Sequence, residues 1–287
     1  MTTRRCENCK DDISHKRSDA RFCSALCSKA PRFRGTYCLE CGGGLILHQA
    51  NKSRTKYCSK ECLHNHVYLQ GDHDYFSTPN LENSYWAGFI AADGCILDGS
   101  SHSRKVLMIN LKSTDKNHLL NLRGAIGAGT VNDYNHFDKR PSHSKTYYGA
   151  KYQLYSDKIC NDLGSVFSVH PRKTSKEQPP ELGGDLAYAF IAGYIDGDGS
   201  YYNHGASPAI SIAGSNELLE WIYKIYGVSD RIPHKRGNLH ICGFYGNSAL
   251  LVRDSFSHLN LPLLERKKNR WEELGLNTRI KKGDSVK

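Results

Sequence analysis

Asp93 and Asp198 each end a stretch of the same design, Trp86-Ala-Gly-Phe-Ile-Ala-Ala-Asp93-Gly94 and Ile191-Ala-Gly-Tyr-Ile-Asp-Gly-Asp198-Gly199. Trp86, Phe89 and Ile90 in the first, and Phe190, Ile191, Tyr194 and Ile195 around the second, fall at helical spacing. Another face is almost bare: Ala87, Gly88, Ala91 and Ala92 in one copy, Ala192, Gly193 and Gly197 in the other. Glycine costs a helix about 1 kcal/mol relative to alanine, so the bare face predicts two helices whose backbones approach closely. That packing would set Asp93 and Asp198 side by side at the helix C-termini, where a carboxylate opposes the helix dipole at about 0.3–1 kcal/mol. Gly94 and Gly199 would then take the left-handed position that stops each helix. Adjacent carboxylates repel unless a cation or a shared proton lies between them, and Mg²⁺ suits an all-oxygen donor set. Asp-Gly is also an ordinary turn signal; two copies on the same bare face favour chemistry over a turn.

A second constellation is made of sulfur. Eight of eleven cysteines lie in the first 62 residues, as Cys6-x2-Cys9, Cys23-x3-Cys27, Cys38-x2-Cys41 and Cys58-x3-Cys62. The halves match in detail, Arg21-Phe-Cys-Ser-Ala-Leu-Cys against Lys56-Tyr-Cys-Ser-Lys-Glu-Cys. Two four-thiolate Zn²⁺ sites are the natural reading, with the serine after each third cysteine capping a short helix. The pattern is treble-clef-like. Disulfides are disfavoured because no signal peptide precedes Cys6 and because Cys95, Cys160 and Cys242 are scattered. His64 and His66 follow Cys62 closely, but two complete quartets make them unnecessary as ligands. Modules this small draw their folding energy from the metal. Arg4, Arg5, Arg17, Arg21 and further basic residues around the thiolates are expected to extend a nucleic-acid footprint.

The elements that would position the two acids repeat as well. Val106 to Lys112 reads as a strand and Asn117 to Ile126 as a helix; Ala209 to Ala213 and Leu218 to Tyr226 follow the second acid in the same way. Both helices run into glycine, Gly127 and Gly227. Strand pairs are expected at 129–137 with 150–155 and at 231–235 with 239–245, then helices at 157–167 and 247–259. Each half closes on an Arg-Lys pair, Arg172-Lys173 and Arg266-Lys267. The domain organisation read from this is a first finger at 1–34, a second at 35–75, a first repeat at 80–170, a Pro- and Gly-rich linker at 171–184 and a second repeat at 185–280.

The paired stretches resemble the motif of the LAGLIDADG homing endonucleases in their single-chain, two-repeat form, over about residues 80 to 280. The resemblance implies an α+β fold of two pseudo-symmetric α-β-β-α-β-β-α repeats whose sheets form a saddle on double-stranded DNA. It implies that Asp93 and Asp198, with Gly94 and Gly199 beside them, hold catalytic Mg²⁺, and that Lys173 and Lys267 assist around the scissile phosphate. One departure stands out. The earlier acid of the motif is present as Asp196, whereas the first copy has Ala91; the expectation is asymmetry rather than loss of activity. The implied reaction is metal-dependent hydrolysis giving a staggered double-strand break at a long site. The rival readings are an RNA maturase serving a host intron and a DNA-binding regulator that does not cut.

Charge agrees with a nucleic-acid partner. The chain has 39 basic and 29 acidic residues, a formal net charge of +10. Arg104, Lys105, Lys112, Lys139, Arg140, Lys145, Lys151, Gln153, Tyr201, Arg231, Lys235 and Arg236 lie on or beside expected strands and are the candidate DNA contacts. Apolar runs fall short of a membrane span. The expectation is a monomer, not secreted, in a bacterial or phage-infected cytoplasm or an organelle interior.

Overall fold

The computed structural model describes residues 4–7, 11–29, 33–38, 41–42, 44–46, 57–59, 62, 71–98, 104–138, 145–171, 176–205, 207–228 and 230–274. They belong to two compact units, Met1–Gln70 and Gly71–Lys287. No described helix is long and apolar enough to cross a membrane.

The first unit is built around short backbone clips. Cys6 N–H donates to the Asp11 carbonyl (2.8 Å) and Ile13 N–H to that of Arg4 (2.8 Å), closing a tight hairpin. The Arg4 guanidinium donates to the carbonyls of Lys16 (2.6 Å), Arg17 (2.8 Å) and Ser18 (2.8 Å). Arg21 forms a two-pronged ion pair with Glu7 (2.5 and 2.8 Å). These two arginines therefore hold the knuckle together instead of standing free for a nucleic acid. A short helix, α1 (Ala25–Lys29), and a strand pair, β1 (Phe33–Tyr37) with β2 (Gly44–Ile46), complete the described elements.

The second unit holds two copies of one order. The first is α2 (Leu81–Asp93), β3 (Gly94–Leu97), β4 (Val106–Lys112), α3 (Lys116–Ile126), β5 (Thr130–Asp138), β6 (Lys145–Tyr155) and α4 (Asp157–Phe167). The second is α5 (Gly184–Asp198), β7 (Gly199–His204), β8 (Ser207–Gly214), α6 (Asn216–Ile225), β9 (His234–Arg236), β10 (Leu239–Tyr245) and α7 (Asn247–Ser257), with α8 (Glu265–Glu273) appended. The sheets are antiparallel, in the orders β3-β4-β6-β5 and β7-β8-β10-β9. This is the α-β-β-α-β-β-α repeat, twice. The third strand of the second sheet starts at His234 and not at Arg231, because Pro233 has no N–H to give to a ladder.

Helices α2 and α5 are buried nearly all round, as the apolar and small residues on all their faces require. A capping box starts α2: Asn83 N–H donates to Asn80 Oδ1 (2.9 Å) and Asn80 N–H to Asn83 Oδ1 (2.7 Å). Ser215 caps α6 through Leu218 N–H (3.2 Å), and Gly127 ends α3 in the left-handed region at φ 72°. One continuous apolar core runs from Phe76 through both motif helices to Leu264.

Inside that core lies His118, 4 % exposed, with ring centroids of Phe89 and Trp86 at 4.6 and 4.7 Å and Tyr85 Oη 3.2 Å from Nε2. Burial pulls its pKa from 6.5 down to about 4. The neutral ring is favoured by folding, so its stabilisation is complete above the unfolded pKa and is lost as pH falls from about 6.5 to about 4. At 1.4 kcal/mol per pH unit the loss is about 3 kcal/mol. In urea titrations the unfolding free energy of the parent should fall between pH 7 and 4 by about that amount more than that of His118→Gln; parallel curves would contradict the assignment.

Candidate metal centre and nucleic-acid interface

The motif helices meet with no space to spare. A Cβ on Gly88 would fall on the Phe190 carbonyl oxygen, and one on Gly193 on the Tyr85 carbonyl oxygen. A Cβ on Gly197 would overlap that of Ala92 and lie 3.4 Å from the Asp93 nitrogen. The bare faces are thus the contact itself, and they bring the C-terminal ends of α2 and α5 together with Asp93 half-buried and Asp198 exposed.

Gly94 and Gly199 are not left-handed. Their φ values are −83° and −89°, extended backbone leading straight into β3 and β7. Glycine is needed there for room: a Cβ would lie 2.6 Å from the Ile90 carbonyl oxygen or 2.5 Å from that of Ile195. Each acid therefore stands at a helix-to-strand corner with no loop between the two elements.

Lys267 is buried at this corner, 8 % exposed. Its Nζ donates to the Ile195 carbonyl at 3.2 Å and to the Gly199 carbonyl, so the Gly199 oxygen already has one donor. Burial and then Arg266 lower its pKa, while Asp196, Asp93 and Asp198 push back upward. Both motif acids thus act on one ammonium. Lys173, the matching residue of the first repeat, lies outside the described residues.

Asp196 does different work. It is 2 % exposed and accepts hydrogen bonds from Tyr85 Oη (2.7 Å) and Leu264 N–H (2.7 Å). Burial raises its pKa to about 6. Tyr85 comes from the first repeat and Leu264 from the chain after the second, so Asp196 pins three segments. Arg266 adds a second tie, Nε to Asp115 Oδ2 at 2.7 Å. Ala91, where the other copy lacks the acid, is buried in the core. The sequence pattern contains Tyr85, Asp115 and Arg266 but carries no sign of whom they meet.

The sheet registers sort the expected DNA contacts. Side chains of directly paired residues share a face. In the first sheet Met108, Asn110 and Lys112 pair with Gln153, Lys151 and Gly149, which pair on the other side with Thr130, Asn132 and Tyr134. The alternate residues Ile109, Leu111, Ala150, Tyr152 and Leu154 are buried under the helices. Lys112, Lys151 and Gln153 therefore share the open face, and Arg104 is half-buried just ahead of β4. Lys105 is not on that face: its Nζ donates to Asn161 of α4 (2.8 Å), on the helix side. The side chain of Lys145 and the whole of Lys139 and Arg140 lie outside the described residues.

In the second sheet Ser200 and Tyr202 pair with Ser211 and Ala209, Ala213 and Ser211 with Ile241 and Gly243, and Ile241 and Leu239 with His234 and Arg236. Arg236 is on the open face, where a groove of about 700 Å³ is lined by Arg231, His234, Arg236 and Tyr245. Arg231 Nη1 donates to the Gly243 carbonyl at 3.3 Å. Tyr201 and Lys235 fall one residue out of step and point to the opposite face. The Tyr201 ring packs on Trp271 of α8 at 4.6 Å, beneath the sheet, so it is a packing residue and not a DNA contact.

In the first unit the Sγ atoms of Cys38, Cys41, Cys58 and Cys62 lie within 4.8 Å of one another, as do those of Cys6, Cys23 and Cys27. Cys9, His64 and His66 lie outside the described residues. Cys41–Cys58 and Cys58–Cys62 sulfur separations are both 3.4 Å. A tetrahedral ion with Zn–S of about 2.3 Å needs about 3.8 Å between sulfurs, so the quartet fits zinc. Hydrogen bonds to the Cys62 and then the Cys41 sulfur hold the proton on the Cys58 thiol and push its pKa up to about 12. Ser24 and Ser59 Oγ accept from the N–H groups of Cys27 (3.1 Å) and Cys62 (3.0 Å), the expected caps.

The two repeats, joined through their motif helices, make this chain a two-repeat α+β protein, each repeat running α-β-β-α-β-β-α. No family model matches the sequence, and no curated protein matches it. Among solved structures, the homing endonuclease I-WcaI bound to its DNA recognition sequence is similar at 12% identity and a TM-score of 0.49, covering 77% of this chain and 94% of that one. The LAGLIDADG homing endonuclease I-SmaMI bound to cleaved DNA gives 13% identity and 0.42, covering 68% and 88%. I-GzeII in complex with its DNA target gives 13% and 0.41, covering 69% and 91%.

Proposed function

We propose that the chain is a divalent-metal-dependent DNA endonuclease that acts as a single polypeptide and cuts both strands of a long, specific site. The observation that carries this is the convergence of Asp93 and Asp198, from helices in backbone contact, around the buried Lys267. Two carboxylates meet there at two negative helix ends, and Mg²⁺ suits such oxygen donors. Asp93 and Asp198 would hold the ions, with the Gly94 carbonyl beside them. Bound there, Mg²⁺ supplies a lowered water pKa and charge stabilisation at the leaving oxygen. Lys267 fixes the end of α5 and offers positive charge near the phosphate. Lysines and arginines of the open sheet faces hold the backbone, and polar strand residues meet base edges.

The test is incubation of the full-length protein with a randomised duplex library, with Mg²⁺ and without it, followed by sequencing of cut ends. Cutting of a defined family of sequences only with Mg²⁺, with staggered ends, is the expected outcome. Intact DNA under both conditions would refute it.

The cysteine quartets are proposed to hold one structural zinc each, on Cys6, Cys9, Cys23 and Cys27 and on Cys38, Cys41, Cys58 and Cys62. Metal analysis should find two zinc ions per chain and one in Cys58→Ala, which should also become protease-sensitive within its first 70 residues. Equal zinc in both proteins would remove the second site.

A further inference from the structure

The two open sheet faces carry different chemistry, and register makes the contrast specific. The first presents Asn110, Lys112, Thr130, Asn132, Lys151 and Gln153 on neighbouring strands. All six are exposed or half-exposed. Gln153 is already oriented, its Nε2 donating to Tyr155 Oη at 2.6 Å. The centre of the second face is Ser211, Ala213, Ile241 and Gly243, with Leu239 beside them. No Asn, Gln, Lys, Asp or Glu is among the described open-face residues of its four strands. Its arginines sit at one margin, Arg236 on β9 and Arg231 before it, next to Ile232 at 80% exposure, and Ser200, Tyr202, His204 and Tyr245 line the other.

Amide side chains make bidentate bonds to adenine and lysine reaches guanine O6 and N7, which a wrong base cannot satisfy. Alanine and isoleucine can only touch a thymine methyl, and marginal arginines hold phosphates whatever the sequence. We infer that the two halves of the DNA site are read by different means: the half under the first sheet by hydrogen bonds from Asn110, Asn132, Lys151 and Gln153, and the half under the second sheet by apolar contact, phosphate anchoring and hydroxyls such as Ser200 and Ser211, which donate or accept and so tell bases apart poorly. The first half-site is therefore stringent and the second permissive. This rests on the nuclease reading for the DNA partner but not on cutting.

The test reads binding, so cleavage does not enter it. Full-length, zinc-loaded protein without Mg²⁺ is used to select bound duplexes from a randomised library, and single mismatches are then titrated. Mismatches in one half should each weaken binding about ten- to a hundredfold, and those in the other by less than about threefold. Gln153→Ala should relax preference at one or two positions of the stringent half and leave the profile of the other half as it is. Arg236→Ala should weaken all sequences alike and lower the salt dependence by about one phosphate contact. Equal stringency in both halves, an unchanged profile for Gln153→Ala, or no sequence-selective binding overturns the inference. A lopsided profile with no cutting under Mg²⁺ sinks only the nuclease reading.

Discussion

Asp198→Asn will bind the selected DNA as the parent does and will cut it slower by on the order of 10³-fold or more, since several kcal/mol of metal-borne charge stabilisation leaves with the carboxylate. Asn keeps the size of the side chain and removes only the anionic donor. Asp198 is exposed and ends α5 at the helix-to-strand corner, so little packing changes. Stability should change little. Removing one charge relieves about 0.3–1 kcal/mol of conflict with the negative helix end, and it gives up attraction to the Lys267 ammonium. A loss of cutting with DNA binding and folding retained is the signature of an acid placed for chemistry. Asp93→Asn should behave alike. Cutting at the parent rate by either variant removes the catalytic assignment.

What could be read from sequence was whatever repeats locally. The motif helices, the N-cap serines and the described cysteines are short-range patterns, and each of these stands where spacing put it. Faces of strands were harder. Clustering of aromatic and basic residues puts Tyr201 and Lys235 on the DNA side, but a one-residue difference in phase inverts a strand's face, and Ser200 and Arg236 hold the open side. Lys105 failed for a related reason: it precedes β4 and its partner Asn161 is 56 residues away. The tie of Asp196 to Tyr85 spans 111 residues, and nothing in either neighbourhood announces it. At Gly94 and Gly199 the Asp-Gly pattern predicts a left-handed stop, and the backbone is extended instead. Turn chemistry explains a glycine by its backbone angle, whereas here the limit is the Ile90 and Ile195 carbonyls overhead.

That distinction between angle and room yields the second large effect. Gly193→Ala adds one methyl group and should cost the second unit more than about 3 kcal/mol, at or beyond the upper end for overpacking. The methyl carbon would fall on the Tyr85 carbonyl oxygen and lie 2.8 Å from the Phe89 nitrogen. Both are backbone atoms of α2, so no side chain can turn aside. Relief requires the helices to separate, which opens the Tyr85–Asp196 bond and loosens the corner that holds Asp93 against Asp198. Gly124→Ala is the control. It sits exposed in α3, and a Cβ there meets nothing within 4 Å; the same methyl should stabilise by about 0.5–1 kcal/mol. Urea denaturation of the two variants therefore separates helix propensity from helix contact with a single chemical change. If Gly193→Ala lies within about 1 kcal/mol of the parent, the motif helices are not in backbone contact and the two acids lose the scaffold that brings them together.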